Sequence, residues 1–255
     1  MPMKNIILAF PIGLVWTLLG FFQAAPQKPA DPGSAGGLEA VVKKMDATAS
    51  SFRTTQAEFE WDSYEKVIDE VDDVETGTIY YRRTGNDIEM MAEVKKAGPS
   101  AAEMKPEPKY VLFSGGKIRI YQPKIDQAPE EHDLGKYKAD FESYLVLGFG
   151  GSGQDLLKTF DVTYIGAETI DGVTAAKLQL VPKSQGVRNN FKRILLWVDL
   201  DKGIAVRQQL FDLQDDYRLA KYSSIRINEK IDDSVFRLKT TKKTAKKTQT
   251  VSPGG

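Results

Sequence analysis

The residues whose spacing points most directly to chemistry are Gly148-Phe149-Gly150-Gly151-Ser152-Gly153, which fit G-x-G-x-x-G. In a nucleotide-binding unit that pattern lets backbone approach a pyrophosphate at a helix N-terminus, and Glu168 lies roughly where a ribose-binding carboxylate would be sought. A dinucleotide fold also needs a full β-α-β crossover, and the helical pattern after these glycines lasts barely two turns. The plainer reading is a flexible break beside a helix. His132, the only histidine, lies between Glu131 and Asp133 and reads as a solvated loop residue, because a lone imidazole builds no metal site. No G-x-S-x-G elbow is present. The acidic pairs Asp72-Asp73, Glu130-Glu131 and Asp215-Asp216 lie in turn-like segments, where acidic residues are common for conformational reasons. No catalytic, metal-binding or cofactor-binding residue is therefore assigned, and a nucleotide-using enzyme remains only as the alternative reading of the glycine motif.

Whatever these residues do, strands must position them. The stretch 191–228 holds three apolar or alternating runs, with Ile194, Leu195, Leu196, Trp197 and Val198 in the first. Asp201-Lys202-Gly203 and Gln214-Asp215-Asp216 separate the runs. Short connections between period-two runs mean antiparallel pairing. Further strands are expected at 55–64, 77–83, 87–94, 110–113, 117–121, 161–167 and 173–182, with Asp171-Gly172 as a strong hairpin signal. Residues 69–75 read as an acidic turn and 95–108, with three prolines, as a long loop. Leu38, Val41, Val42 and Met45 have helical spacing, which predicts a helix over 37–50 behind a possible cap at Ser34. Short helices are expected at 139–147 and 154–160, and a helical turn at 232–236. About ten to eleven antiparallel strands cannot stay flat, so the sheet must curl, and the helices are the elements available to fill its concave face.

Composition limits the setting. Among 255 residues, 35 basic and 35 acidic side chains balance, which gives nucleic acid no attracting field. The absence of cysteine excludes disulfides, thiolate zinc sites and an N-terminal lipidated cysteine. Lys4, an apolar run over 6–22 and Gln23-Ala24-Ala25 resemble a secretory signal peptide at 1–25. An uncleaved membrane anchor is the alternative, although Pro11 would kink it. Residues 26–37 read as a linker, 38–238 as one domain, and 239–255 as a disordered lysine-rich tail.

In this order the segments resemble the periplasmic outer-membrane lipoprotein carriers, the LolA-like family. Ser50-Ser51-Phe52 with Gln56 and Phe59 resembles the family's helix-to-strand junction. Residues 77–83 resemble its second strand, with Arg83 matching a family arginine and Thr84 replacing the proline after it. Ser114-Gly115-Gly116-Lys117, then Tyr121, Pro123 and Gln127, resemble its S-D-G-K…Y-x-P…Q segment, with Gly115 in the aspartate position. Leu178, Leu180, Pro182 and Lys183 resemble its L-x-L-x-P-K strand, and Asn228 and Phe236 its close.

The resemblance implies a curled, unclosed antiparallel β-barrel with an N-terminal helix, a helical lid and an apolar cavity for lipoprotein acyl chains or other lipid. It implies a monomer that receives cargo from an inner-membrane lipoprotein-releasing transporter and delivers it to an outer-membrane acceptor. A periplasmic lipid-binding sensor or adaptor of the same fold is the alternative. The lid is expected over 139–160: Phe141, Tyr144, Leu145, Leu147 and Phe149 put apolar surface on a segment too short to stand alone. Glycines 148, 150, 151 and 153 would let it swing. Ile194 and Leu196 are assigned to the cavity, and Arg83 to holding the lid shut by donating to its carbonyls. The competing reading of these apolar residues is ordinary fixed core.

Overall fold

The structure is a computed structural model that describes residues 35–85, 87–125, 128–189, 191–238 and 240. The leader at 1–25, nearly all of the linker, Ser34, Gln127 and nearly all of the tail lie outside the described residues.

Eleven strands form one antiparallel sheet. They are β1 (Thr54–Glu65), β2 (Glu70–Thr84), β3 (Asp87–Gly98), β4 (Lys105–Ser114), β5 (Lys117–Tyr121), β6 (Glu130–Asp133), β7 (Phe160–Ile170), β8 (Val173–Pro182), β9 (Arg193–Asp199), β10 (Ala205–Phe211) and β11 (Tyr217–Ile227). The order across the sheet is β6-β5-β4-β3-β2-β1-β11-β10-β9-β8-β7. Only β1–β11 joins strands distant in sequence; all other neighbours are consecutive. The two edges are β6 and β7, and they follow one another in the chain. The connection between them must therefore travel from one edge to the other.

That connection carries α2 (Lys138–Leu145) and α3 (Gly153–Thr159). With α1 (Ala35–Ser51) it packs against the concave face. Val41, Val42 and Met45, on one side of α1, are all buried, as their spacing predicts. Where α1 turns into β1, Asn228 binds both: its Oδ1 accepts from the Arg53 backbone at 2.7 Å and its Nδ2 donates to the Ser51 carbonyl at 2.9 Å. Asn228 takes φ +59, a conformation asparagine tolerates better than most residues.

Two clusters make up the core of the concave side. One joins α1 and α3 to Leu178, Leu180, Ile194, Leu196 and Val198 of β8 and β9. The other joins Phe52 and Phe149 to Phe59, Ile79, Tyr81 and Phe113 of β1, β2 and β4. On the convex side, the 3₁₀ turn Asp233–Phe236 lays Phe236 over Met91 and Leu112, with Arg82 stacked 4.3 Å above its ring.

The sheet departs from the sequence expectation in three places. Residues 69–75 are not a turn. The turn is 66–69, and β2 begins at Glu70, pairs with β1 and buries Val74. Its acidic residues flank Val71 and Val74, and ladder pairing overrides their turn preference. The loop expected at 95–108 shrinks to 99–104, because a register shift between Val94 and Lys96 lets β3 and β4 pair past Pro106. His132 is not in a loop. It pairs with Ile118 in the edge strand β6, with its Nε2 3.4 Å from Glu130. A small helix unforeseen in the sequence, α4 (Gln185–Arg188), links β8 to β9. Asp171-Gly172 forms the expected tight hairpin, with φ +50 and +81.

Candidate functional site: a cavity between α2 and the sheet

A cavity of about 860 Å³ lies between α2 and the concave face. Its volume falls within the range of about 300–1,000 Å³ usual for ligand pockets. Trp61, Ile79, Tyr81, Met90, Ala220 and Tyr222 form its sheet wall. These residues alternate along β1, β2, β3 and β11, so the period of the strand delivers every second side chain to it. Phe141, Tyr144 and Leu145 of α2 close it from above, with Leu134 on the segment before α2. Val187 of α4 and Phe191 form its far end. Burial holds the phenols of Tyr81 and Tyr222 well above their usual range, so both stay neutral hydrogen-bond donors.

The mouth of the cavity differs from its depth. Ser63, Asp73, Glu75, Lys109 and Arg218 line it. Lys109 and Glu75 form an ion pair there. The Asp73 carboxyl is raised above its usual range, first by burial and then by the neighbouring Glu75 charge. The hairpin tips around the mouth are tied together: the Lys66 backbone donates to Asp216 at 2.8 Å, and Lys66, Lys192 and Arg193 all reach Asp215. Val67 and Ile68 at one tip, and Leu213 at the next, are exposed.

The expected lid residues separate into two groups. Phe141, Tyr144 and Leu145 are half-buried and face the cavity. Phe141 packs 5.4 Å from Phe113, and Tyr144 5.1 Å from Phe191, between ring centres. Leu147 and Phe149 are 4% and 1% exposed and belong to the two core clusters. Phe149 stacks on Tyr81 at 4.8 Å and meets Tyr222 edge-on at 4.6 Å. Ile194 and Leu196 are fully buried beneath α1 and α3, in the core beside the cavity and not on its lining.

Backbone bonds fix the turn after α2. The Ala205 backbone donates to the Gly148 carbonyl at 2.8 Å, and the Gln208 amide donates to the Leu147 carbonyl. Arg83 donates from Nη2 to the Gly150 carbonyl at 2.8 Å, with its guanidinium 5.6 Å above the Phe52 ring. Burial lowers the Arg83 pKa, and Asp155 opposes the shift.

The glycines of G-x-G-x-x-G serve close approach. A Cβ on Gly148 would fall 2.0 Å from the Ala205 Cβ, and one on Gly150 2.3 Å from the Phe52 ring. Ser152 caps α3 by accepting from the Asp155 backbone at 3.0 Å. All strand pairs are antiparallel, so among the described residues no β-α-β crossover surrounds the motif. Among the described residues no group of three His, Cys, Asp or Glu side chains is placed to hold a metal. No described helix is long and apolar enough to cross a membrane.

No family model matches the chain, and no curated protein matches it. Solved structures with a similar fold include MucB, at 12% identity and a TM-score of 0.48, covering 82% of this chain and 64% of MucB. They also include a putative outer membrane lipoprotein-sorting protein domain from Vibrio parahaemolyticus, at 10% identity and a TM-score of 0.41, covering 79% of this chain and 96% of that one. A LolA superfamily protein from Nitrosomonas europaea matches at 13% identity and a TM-score of 0.38, covering 79% and 97%. This chain thus spans less than two thirds of MucB's length.

Proposed function

We propose that this protein is a periplasmic carrier that shields lipoprotein acyl chains, or another lipid, in the cavity under α2 and moves them towards the outer membrane. The cavity itself carries the reading. It is an apolar space of about 860 Å³ whose cover is a two-turn helix with three half-buried apolar side chains. An acyl chain gains about 0.8 kcal/mol per buried CH₂, so a long chain competes well with those side chains for the sheet wall. The cover would lift as the chain enters and settle back as it leaves.

In this reading residues 1–25 direct export, 26–37 form a linker, 38–238 form the carrier domain and 239–255 a tail. The protein works as a monomer between an inner-membrane lipoprotein-releasing transporter and an outer-membrane acceptor. Arg83 keeps the cover anchored at Gly150.

Native mass spectrometry of protein purified from a membrane-rich extract tests the reading. A carrier retains lipid. A bound polypeptide without lipid would favour the sensor or adaptor alternative, and a bound nucleotide would return the glycine motif to chemistry.

A further inference from the structure

Ser63 pairs across the sheet with Arg218 of β11 on one side and with Asp73 of β2 on the other. All three line the cavity mouth. Neighbouring strands lie about 4.8 Å apart, so the Arg218 and Asp73 backbones stand roughly 10 Å apart with a hydroxyl between them. Glu75 and Lys109, the other charges at the mouth, satisfy each other. Arg218 and Asp73 feel one another across the row, and Lys109 also acts on Asp73, but none of these is a close contact: neither Arg218 nor Asp73 makes a hydrogen bond or a close ion pair with another described residue. Beyond this row the wall becomes apolar at Trp61, Ala220 and Tyr222. The mouth therefore presents one cation and one anion, neither in close contact with a counter-charge, on opposite sides of the entrance to an apolar space.

We propose that this row selects amphiphiles with a zwitterionic headgroup, placing the anionic group against Arg218 and the cationic group against Asp73. The proposal rests on the reading of the cavity as an acyl-chain site. The charges exclude the simpler headgroups. An uncharged one would leave the half-buried Asp73 without a cation and would gain nothing from the exposed Arg218. A purely anionic one would satisfy the guanidinium but lie beside Asp73 and Glu75. A zwitterion meets both charges, and the guanidinium fork suits a phosphate in particular. The raised Asp73 carboxyl fits the same geometry, because a cation brought beside it relieves the cost of its ionised form.

The test uses three amphiphiles of one acyl length, titrated against the full chain after delipidation: lysophosphatidylethanolamine, lysophosphatidylglycerol and monoacylglycerol. The zwitterion should bind about tenfold more tightly than the other two, the scale of two partly exposed charge contacts. Arg218→Gln and Asp73→Asn should each remove most of that preference, chiefly by weakening binding of the zwitterion, and Arg218→Lys should keep part of it. Equal binding of all three, tightest binding of the anionic lipid, or a preference that survives both substitutions would overturn the proposal. Phosphoethanolamine without a chain should not compete, and competition at similar concentration would also overturn it. If none of the three binds, the acyl-chain reading of the cavity fails, and that outcome is distinct from loss of headgroup preference alone.

Discussion

The helix α2 and the glycine turn behind it are adjacent in sequence and opposite in character. From 141 to 146 every side chain is half-buried, whereas 147–150 are all buried. The helix meets the sheet mainly through rings and apolar side chains across the cavity. The turn is joined to β10 and β2 by backbone and side-chain hydrogen bonds, and its glycines let other groups come close. A short helix can thus be a cover only because the segment after it is fixed. In the proposed carrier, movement would belong to the helix and anchoring to the turn, divided at about residue 146, where the sequence suggested one swinging unit.

The largest effect that tests this division is on stability. Phe149→Ala should cost about 3–5 kcal/mol, as loss of a fully buried aromatic does. Phe141→Ala, half-buried, should cost only about 1 kcal/mol in the empty protein, and its main effect should be tighter acyl-chain binding, because one competitor for the sheet wall is gone. Urea midpoints at unchanged slope measure both, and equal losses would erase the distinction. Gly148→Ala should cost about 2–4 kcal/mol, because the new Cβ collides with Ala205 and the residue keeps φ +80. A neutral result would mean that the turn yields easily.

Arg83→Leu comes next. It removes the donor to Gly150 and should cost roughly 1–2 kcal/mol, given partial exposure of the charged group. The variant should still accept lipid but release it poorly to an acceptor. Transfer at the normal rate would remove Arg83 from the mechanism. A smaller, geometric effect should separate two labelled pairs, made simple by the absence of native cysteine. Labels at Ala139→Cys and Arg226→Cys should broaden or lengthen their separation when an acylated peptide binds. Labels at Gln154→Cys and Arg226→Cys should not, since α3 lies on the anchored side. Movement of both pairs would restore a single lid over 139–160.

The smallest effect concerns the mouth. Lys192, Arg193 and Lys66 hold the Asp215 carboxyl well below its usual range. A depressed carboxylate stabilises the fold above its unfolded pKa of about 3.9, and that contribution fades as pH falls towards the folded value. The midpoint difference between the native chain and Asp215→Asn should therefore be steady from neutral pH to about pH 5 and shrink below about pH 4. A difference that grew in acid would contradict the ion-pair assignment.

Much of this fold was legible because alternation and tight turns are local signals. Val173–Pro182 matches its sequence reading, and so do the hairpins at Asp171-Gly172 and at Ser114–Lys117. The failures share a cause. Glu130–Asp133 has no apolar face, so nothing in its composition separates an edge strand from a loop. Asp73 was read within a turn because an inward charge looks like an outward one until the partner strands are known. Phe141, Tyr144 and Leu145, which line the cavity, were singled out by helical spacing. Trp61 and Leu210 of the cavity were not, because alternation names a face without saying which part of it stays unfilled. Continuing the alternation of β2 back through Val74 would have placed Asp73 and Glu75 on one face, the only signal available for the mouth.

The pairing of β1 with β11 has a consequence for how the chain folds. Every other pair joins strands that are consecutive in sequence, across a connection of modest length. This one seam joins residues near 55 to residues near 227. A chain delivered from its N-terminus could complete β1 to β6 as one meander and β7 to β11 as another, each a low-separation structure that forms quickly. The central seam would then close last, after the final strand arrives. Until that moment β1 presents an unpaired edge in the middle of the future sheet, where a neighbouring chain could pair instead. The step most exposed to aggregation is therefore the joining of two finished halves, and truncation within β11 should trap the chain there.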